Sequence, residues 1–395
     1  MNVWHIQTNE NNIYMKQVFY FFSTILIFLS GCTSSQYENE ITYINWDSLK
    51  NSDVLSESCM NATFVKLETN SDCVLNDIVK VEVDDSLLFI IDSMERLYVF
   101  DKDGTFIRKI GTKGGAENEY VTLLDFVLNR EKKQVYLVDI AKGKILSYNY
   151  QGKYLGSETV EGTVFSNSTG VAFIDDKHLA TINFNGPTQR SNFSIVDIET
   201  QKRAEFVEYI SIGKETSFCS EGRISQNSSG LLLTAEFSDT IYSCSCNNVF
   251  PKFVFQGPLK HTTKSDVKQD YYDFSMYPKE DLLKRGFSVG INNLFCTENI
   301  VHFTYNTPDG YYRVFYDIRN NRGYKHNILQ DQGNLSNRIW NNIISSSEDA
   351  FICVLSIGEF LPDGELQERD TQLDELLKVS TYHDNPIIAF LQIRE

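Results

Sequence analysis

Five histidines lie beyond residue 32, and they are the first residues to ask about chemistry: His178, His261, His302, His326 and His383. No H-x-x-x-H or H-E-x-x-H pair brings two of them onto one helix face to hold a metal. His178 and His302 fall in strand-like apolar runs, where an imidazole packs or faces solvent more often than it ligates. His261 and His383 lie in insertions. No G-x-S-x-G surrounds a serine nucleophile. Asp92 and Asp139 each close an apolar run, and Arg96 and Lys144 each open the next. Their repetition assigns them to turn caps or ion pairs of the architecture rather than to acid–base work. Asp101-Lys102-Asp103-Gly104 looks like the start of a calcium loop, but its two carboxylates are too few for a cation that takes six or more oxygens. Gly111-x-x-Gly114-Gly115 opens no helix and is no phosphate loop. Besides Cys32 the chain carries Cys59, Cys73, Cys219, Cys244, Cys246, Cys296 and Cys353. This odd count does not make a disulfide framework. Cys244-x-Cys246 would put both sulfurs on one strand face, which is poor disulfide geometry, and Cys59–Cys73 is the one candidate bridge. These patterns lead to no catalytic residues, no metal and no cofactor.

What remains is a surface that could bind. Tyr (21) and Phe (27) are abundant, and most serve as strand formers. Tyr120, Tyr271, Tyr272, Tyr277, Tyr311 and Trp340 instead fall in connections, as do Arg190, Arg285 and Arg338. Flat rings beside guanidinium groups stack on sugars or grip peptides. The competing role for each is to pin its own connection down.

The elements that position these residues follow from a repeat. Leu97–Asp101, Ile145–Asn149, Phe193–Asp197 and Ile241–Ser245 begin 48 residues apart. Each is preceded by a second apolar run and followed by a third, and Ile78–Val83 and Asp125–Leu128 stand ahead of the first two. The turn equivalent to DKDG reads Asn149-Tyr150-Gln151-Gly152 in the next unit and Asp197-Ile198-Glu199-Thr200 in the third. The turn persists while its acids do not, which marks a hairpin and not a cation site. Four short strands per unit at this period is the pattern of a β-propeller. Two further units follow, built from Phe287–Phe295, Ile300–Tyr305, Tyr312–Ile318 and Gly323–Ile328, then Ile339–Ser345, Ala350–Ser356 and Pro386–Ile393. The last lacks a fourth strand, and Thr63–Leu67 is free to supply it. The expected fold is all-β: a six-bladed β-propeller of four-stranded antiparallel blades over residues 63–395, closed by an N-terminal strand. Two insertions, 258–286 and 359–385, carry small helical pieces; Leu366, Leu373, Leu376 and Leu377 give the second an amphipathic spacing. Both belong to connections that a propeller gathers on one face.

The N-terminus carries an apolar run, Val18–Leu29, behind Lys16, too short for a comfortable membrane span and placed like a signal peptide. Leu29-Ser30-Gly31-Cys32 resembles the lipobox of bacterial lipoproteins, whose cysteine becomes the lipidated N-terminus. Residues 1–31 are expected to be the signal peptide, with Met15 a plausible true start, and 32–62 a lipid-anchored linker. Net charge is −17 and stays there without residues 1–31, which hold one Lys and one Glu. With no basic cluster, nucleic acid is excluded as a partner.

With "FVKLET" (64–69), "LLFIIDSMERLYVFDKDGTFIRKIGTKGG" (87–115), "EFSDTIYS" (236–243) and "HDNPIIAFLQI" (383–393), the chain resembles the six-bladed propeller lipoproteins of Bacteroidetes, related in form to NHL-repeat and TolB-like propellers. The family's Gly- and Pro-containing loop ending in Glu-Tyr is here Gly114–Tyr120, without the proline. The resemblance implies a fold and an outer-membrane lipoprotein location, periplasmic or surface-exposed, but no reaction. The function expected is a binding module: a receptor for a ligand, glycan or peptide, or a scaffold for an envelope complex. The alternative is a metal-dependent envelope hydrolase or lyase with its site at the propeller axis.

Overall fold

Six four-stranded antiparallel sheets follow the repeat around a ring in the computed structural model. It describes residues 40–51, 60–160, 163–166, 168–183, 190–210, 222–267, 278–330, 335–360 and 371–393; Val18–Leu29, Cys32, Cys59, Tyr271, Tyr272, Tyr277 and Leu366 lie outside them. From the axis outward, blade 1 is Ile78–Asp84, Leu87–Asp92, Leu97–Asp101 and Phe106–Ile110. Blade 2 is Leu123–Asn129, Gln134–Asp139, Lys144–Asn149 and Tyr154–Thr159; blade 3 is Ser168–Phe173, His178–Asn183, Ser191–Asp197 and Arg203–Glu208. Blade 4 is Ile224–Asn227, Gly230–Thr234, Thr240–Ser245 and Asn248–Gln256; blade 5 is Ile291–Cys296, Ile300–Thr307, Gly310–Asp317 and Arg322–Asn327. Blade 6 takes Ile343–Ser346, Phe351–Leu355 and Ile387–Ile393 from the end of the chain, and its outer strand, Met60–Lys66, from the beginning.

Burial explains why these runs read as they do. The middle strands of blade 1, Leu87–Asp92 and Leu97–Asp101, are buried on both faces because a blade stacks on each side of them. Its outer strand, Phe106–Ile110, alternates. A continuous apolar run therefore marks a middle strand and an alternating one an edge.

The ring closes through seven antiparallel register pairs, from Ile387 opposite Lys66 to Ile393 opposite Met60. The expected closing strand is present and starts three residues earlier than the sequence suggests. The segment before it differs more. Within the stretch read as linker, Thr42–Asn45 pairs parallel with Phe253–Gln256 as a fifth strand on blade 4. Lys50–Asn51 does the same against Tyr324–Lys325 on blade 5. Between them Trp46 lodges against Phe255, Tyr305 and Tyr312, with the Lys325 ammonium 4.0 Å from its ring centre. The outer strands of blades 4 and 5 are thus each covered by a short added strand, and the same N-terminal part of the chain then supplies the outer strand of blade 6.

The DKDG segment is a hairpin turn. The Asp101 carboxylate accepts the backbone N–H groups of Asp103 and Thr105, and Gly104 N donates to Asp101 O. Asn149 accepts from Lys153 N, Asp197 from Thr200 N and Asp317 from Asn320 N in the matching turns. What repeats is a side-chain oxygen at the first turn position, and an amide serves as well as an acid. Asp92 and Asp139 are likewise turn caps. Asp92 is buried and accepts from Met94 N, Arg96 N and the Arg96 guanidinium; Asp139 accepts from the backbone of Val121, Thr122, Ala141 and Lys142. Cys73 is a free, buried thiol that donates to Glu68 O, so no bridge to it is present. Helix Thr371–Lys378 buries Leu373 and Leu377 as its spacing predicts. Ile339 belongs to the short helix Leu335–Trp340 and not to a strand.

His302 is 2% exposed and packs between Phe295, Phe315 and Phe351, near the equally buried Arg313. Burial, and then the Arg313 charge, push its pKa down to about 3. The unfolded chain binds this proton below about pH 6.5 and the folded chain does not, so stability rises with pH across that window and is fully present above it. Acidification is expected to cost about 1 kcal/mol over the first pH unit below 6.5 and about 1.4 kcal/mol for each unit after it, until the folded-state value of about 3 is approached. Urea titrations of the protein and of His302→Leu at several pH values check this, and parallel pH profiles would rule it out.

Candidate binding face and groove

Successive strands alternate in direction, so the second-to-third-strand turns and the blade-to-blade connections emerge on one face of the ring. Every candidate within the described residues sits there. Tyr120 is in the connection from blade 1 to blade 2, Arg190 before the third strand of blade 3, and Arg285 in the insertion between blades 4 and 5. Tyr311 begins the third strand of blade 5, and Arg338 and Trp340 lie between blades 5 and 6. Both insertions open on this face.

Their side chains are mostly committed to holding the face together. Trp340 is 1% exposed and meets Phe315 edge-on at 5.0 Å. Arg338 donates to Glu359 O, joining two connections. Arg285 pairs with Asp281 at 3.0 Å, donates to Asp266 O and lies over Phe287. Tyr311 donates to Thr304 Oγ1 at 2.8 Å and accepts from Asn293 Nδ2 at 2.9 Å. Arg190 is exposed. Trp340 and Arg285 therefore act as pins, and the insertion between blades 4 and 5 builds a small core of its own around Phe237, Val267, Leu282 and Val289.

Tyr120 leads to something more open. It is 2% exposed and donates to Glu95 O at 2.6 Å; burial, then Glu95, pushes its pKa up to about 12. The loop before it closes without a proline: Glu119 accepts Ala116 N, and Lys142 donates to Ala116 O and Glu119 O. Beside this loop, along the seam between blades 1 and 2, runs a groove of about 480 Å³ lined by Arg96, Lys109, Lys113, Asn118, Tyr120, Tyr148 and Tyr154, among others. Two of its cations are matched, Arg96 by Asp92 and Lys113 by Glu95 at 2.7 Å. Lys109 is exposed and forms no ion pair among the described residues; its ammonium lies 5.1 Å from the Tyr98 ring centre. Tyr148 donates to Asn118 O, and burial pushes its pKa up to about 12. The Tyr154 hydroxyl is buried and has no hydrogen-bond partner among the described residues, an expensive state for a polar atom.

A signal for this groove does lie in the repeat. Tyr148 and Tyr154 each stand 48 residues after Phe100 and Phe106. Both pairs meet edge-on, at 5.5 Å and 5.6 Å. Blade 2 thus repeats an apolar contact of blade 1 with two hydroxyls added. The turn geometry differs too. Gly104 presses against Lys66 of blade 6, whereas Gly152 stands off Lys109 of blade 1 by an ordinary contact distance. The first seam is closed and the second leaves room.

The profile of a family described as a domain of unknown function, DUF4934, matches residues 39–392. No curated protein matches the chain. Among solved structures, the chain is similar to a Bacteroides fragilis protein whose name marks it as a candidate exported protein: 21% identity, TM-score 0.69, covering 90% of this chain and 100% of that one. It is also similar to a member of the DUF4221 family from Bacteroides vulgatus, at 10% identity and TM-score 0.51, covering 86% of this chain and 100% of that one. At these identities the likeness is one of fold.

Proposed function

The chain belongs to the DUF4934 family, and we propose that it is a lipid-anchored cell-envelope propeller that binds an acidic glycan in the groove between its first two blades. The observation that carries the reading is the groove's chemistry: tyrosine rings along its wall and an exposed Lys109 that forms no ion pair among the described residues, in a protein of net charge −17. Aromatic faces suit sugar rings, and a free ammonium beside them favours a ligand that brings a carboxylate. Anchorage rests on the signal-like run and on Leu29-Ser30-Gly31-Cys32, whose lipidation would hold the protein to a membrane through its acyl chains. The similar Bacteroides protein named as a candidate for export is in keeping with that location. The rival reading, a metal-dependent hydrolase or lyase, needs ligands converging on the axis. Among the described residues, the one grouping of His, Cys and carboxylate ligand atoms lies on hairpin turns of the neighbouring blades 3 and 4 instead.

Thermal-shift and calorimetric titration with an oligouronate and a neutral oligosaccharide of equal length test this. The oligouronate is expected to raise the unfolding midpoint, since a ligand of the native state stabilises it. Tyr154→Ala removes a ring from the groove wall and is expected to weaken binding about tenfold; Lys109→Met should erase the preference for the acidic sugar. Unchanged affinity in both variants, or a shift with peptides alone, would overturn the assignment.

A further inference from the structure

On the opposite side from the blade-to-blade connections, two turns of neighbouring blades bring together three side chains of a different kind. Asp175 lies in the turn between the inner two strands of blade 3, and His178 starts the second of them. Cys246 is in the two-residue turn between Thr240–Ser245 and Asn248–Gln256 of blade 4, where Ser245 pairs with Asn248. His178 Nδ1 is 2.9 Å and 3.0 Å from the two Asp175 carboxylate oxygens, and Cys246 Sγ donates to Asp175 Oδ2 at 2.9 Å. One ligand atom from each of the three lies within 4.8 Å of the others. We propose that Asp175, His178 and Cys246 form a site for a zinc-class divalent cation that clips blade 3 to blade 4.

Three features favour a cation over an ordinary polar contact. The carboxylate is held in place beforehand: Asp175 Oδ1 accepts the backbone N–H groups of Lys177 and His178, both at 2.8 Å, so the donor does not have to be ordered on binding. Next, the ligand set of thiolate, imidazole and carboxylate is the one zinc takes, and the exposure of Asp175 and Cys246 leaves a fourth position for water. Last, the seam between blades 1 and 2 has a matching contact that is not a metal site. There Tyr150, 96 residues before Cys246, donates to Asp84 at the equivalent turn. Blades 3 and 4 keep the carboxylate but replace the phenol by a thiol and add an imidazole. Their seam is otherwise built from small apolar clusters, Ile182–Phe193–Leu233–Ala235 and Ala172–Ala180–Leu231, on which Cys244 also packs.

The trio is not a nucleophilic triad. The carboxylate, not the imidazole, faces the thiol. Burial, then Asp175, pushes the Cys246 thiol up to about 11, so it keeps its proton at neutral pH. Burial alone would raise Asp175, but hydrogen bonds from Cys246, Lys177 and His178 outweigh it and hold it at about 2. A divalent cation displaces the thiol proton to solvent and binds the thiolate, while the neutral imidazole binds through Nδ1 and carries its proton on Nε2. Bonds of about 2.0–2.3 Å in a tetrahedron place ligand atoms about 3.3–3.5 Å apart, so the carboxylate and its two partners part by roughly half an ångström on binding.

Cobalt(II) is the probe, added to the purified protein after chelator treatment. The expected result is one Co²⁺ per chain with a thiolate-to-cobalt charge-transfer band. Cys246→Ser should abolish the band, and His178→Ala should weaken binding at least tenfold. Zn²⁺ should raise the unfolding midpoint of the native protein and of neither variant, and metal-free midpoints report whether each variant folds. No band at saturating cobalt, or a band that survives Cys246→Ser, would overturn the proposal.

Discussion

Gly104→Ala is expected to destabilise the protein by about 3 kcal/mol, and Gly152→Ala by about 1 kcal/mol. The two glycines stand 48 residues apart at the same position of the same turn, with φ of +87° and +80°. Both substitutions carry the strain of a side chain in the left-handed region, roughly 1–2 kcal/mol, partly offset by the lower entropy of the unfolded alanine chain. Only Gly104 meets a wall. A Cβ there would lie 2.1 Å from Lys66 O and 3.0 Å from Val65 Cγ1, at the end of the strand that closes the ring. Relieving that clash pulls the turn from the closing strand and breaks the 2.7 Å bond from Glu68 N to Gly104 O and the 2.8 Å bond from Phe106 N to Glu68. At Gly152 the nearest atom is 3.5 Å away. The comparison therefore subtracts the strain common to both turns and leaves the closure contact. Urea unfolding of the two variants side by side measures it; equal losses would mean that the seam between blades 6 and 1 gives way without cost.

The ring was legible in the sequence because its information is local. Leu97, Ile145, Phe193 and Ile241 recur because each is a buried residue at or near the start of its blade's third strand, and a hairpin partner a few residues away fixes its register. Thr63–Leu67 could be matched to the incomplete last blade by counting strands. Residues 40–51 carry no such mark. TYIN and KN are too short to display alternation, and their pairing with Phe253–Gln256 and Tyr324–Lys325 depends on edges formed by distant chain. The same limit governs the sites. Trp340 reads as an exposed ring in a connection, yet it is drawn under the face by Phe315 and Phe351, which a repeat pattern does not reveal. Cys246 lies 71 residues from Asp175. Nothing local in Asp175-x-x-His178 announces that a turn of the next blade will reach it. The groove is an intermediate case: Tyr148 and Tyr154 in place of Phe100 and Phe106 are visible to anyone aligning the repeats, but the space between the seams is not.

Asn385 holds the same closure from the other side, and Asn385→Ala is expected to cost about 4 kcal/mol. The side chain is 2% exposed in the "HDNP" segment just before Ile387–Ile393. Its Oδ1 accepts Leu75 N at 2.9 Å, and its Nδ2 donates to Glu68 O at 2.6 Å and Cys73 O at 2.7 Å. One amide thus satisfies a donor and two acceptors of the backbone that leads from the closing strand into blade 1. Truncation leaves Leu75 N and Cys73 O without this partner and Glu68 O with only the weak Cys73 thiol donor, at roughly 1–3 kcal/mol for each buried group that water does not reach. Asn385→Asp separates hydrogen bonding from shape. The carboxyl can still accept from Leu75 N, but it would face two carbonyl oxygens, so burial and those dipoles raise its pKa above the unfolded value of about 3.9. A carboxyl raised on folding exerts no penalty while both states are protonated, and the penalty grows as pH rises through the unfolded value. Asn385→Asp is therefore expected to lie nearest the native protein in stability at about pH 4 and to fall behind it towards neutral pH. Urea midpoints of the three proteins across that range decide it. A constant gap between Asn385→Asp and the native protein would show that water reaches the amide and that the closure does not depend on it.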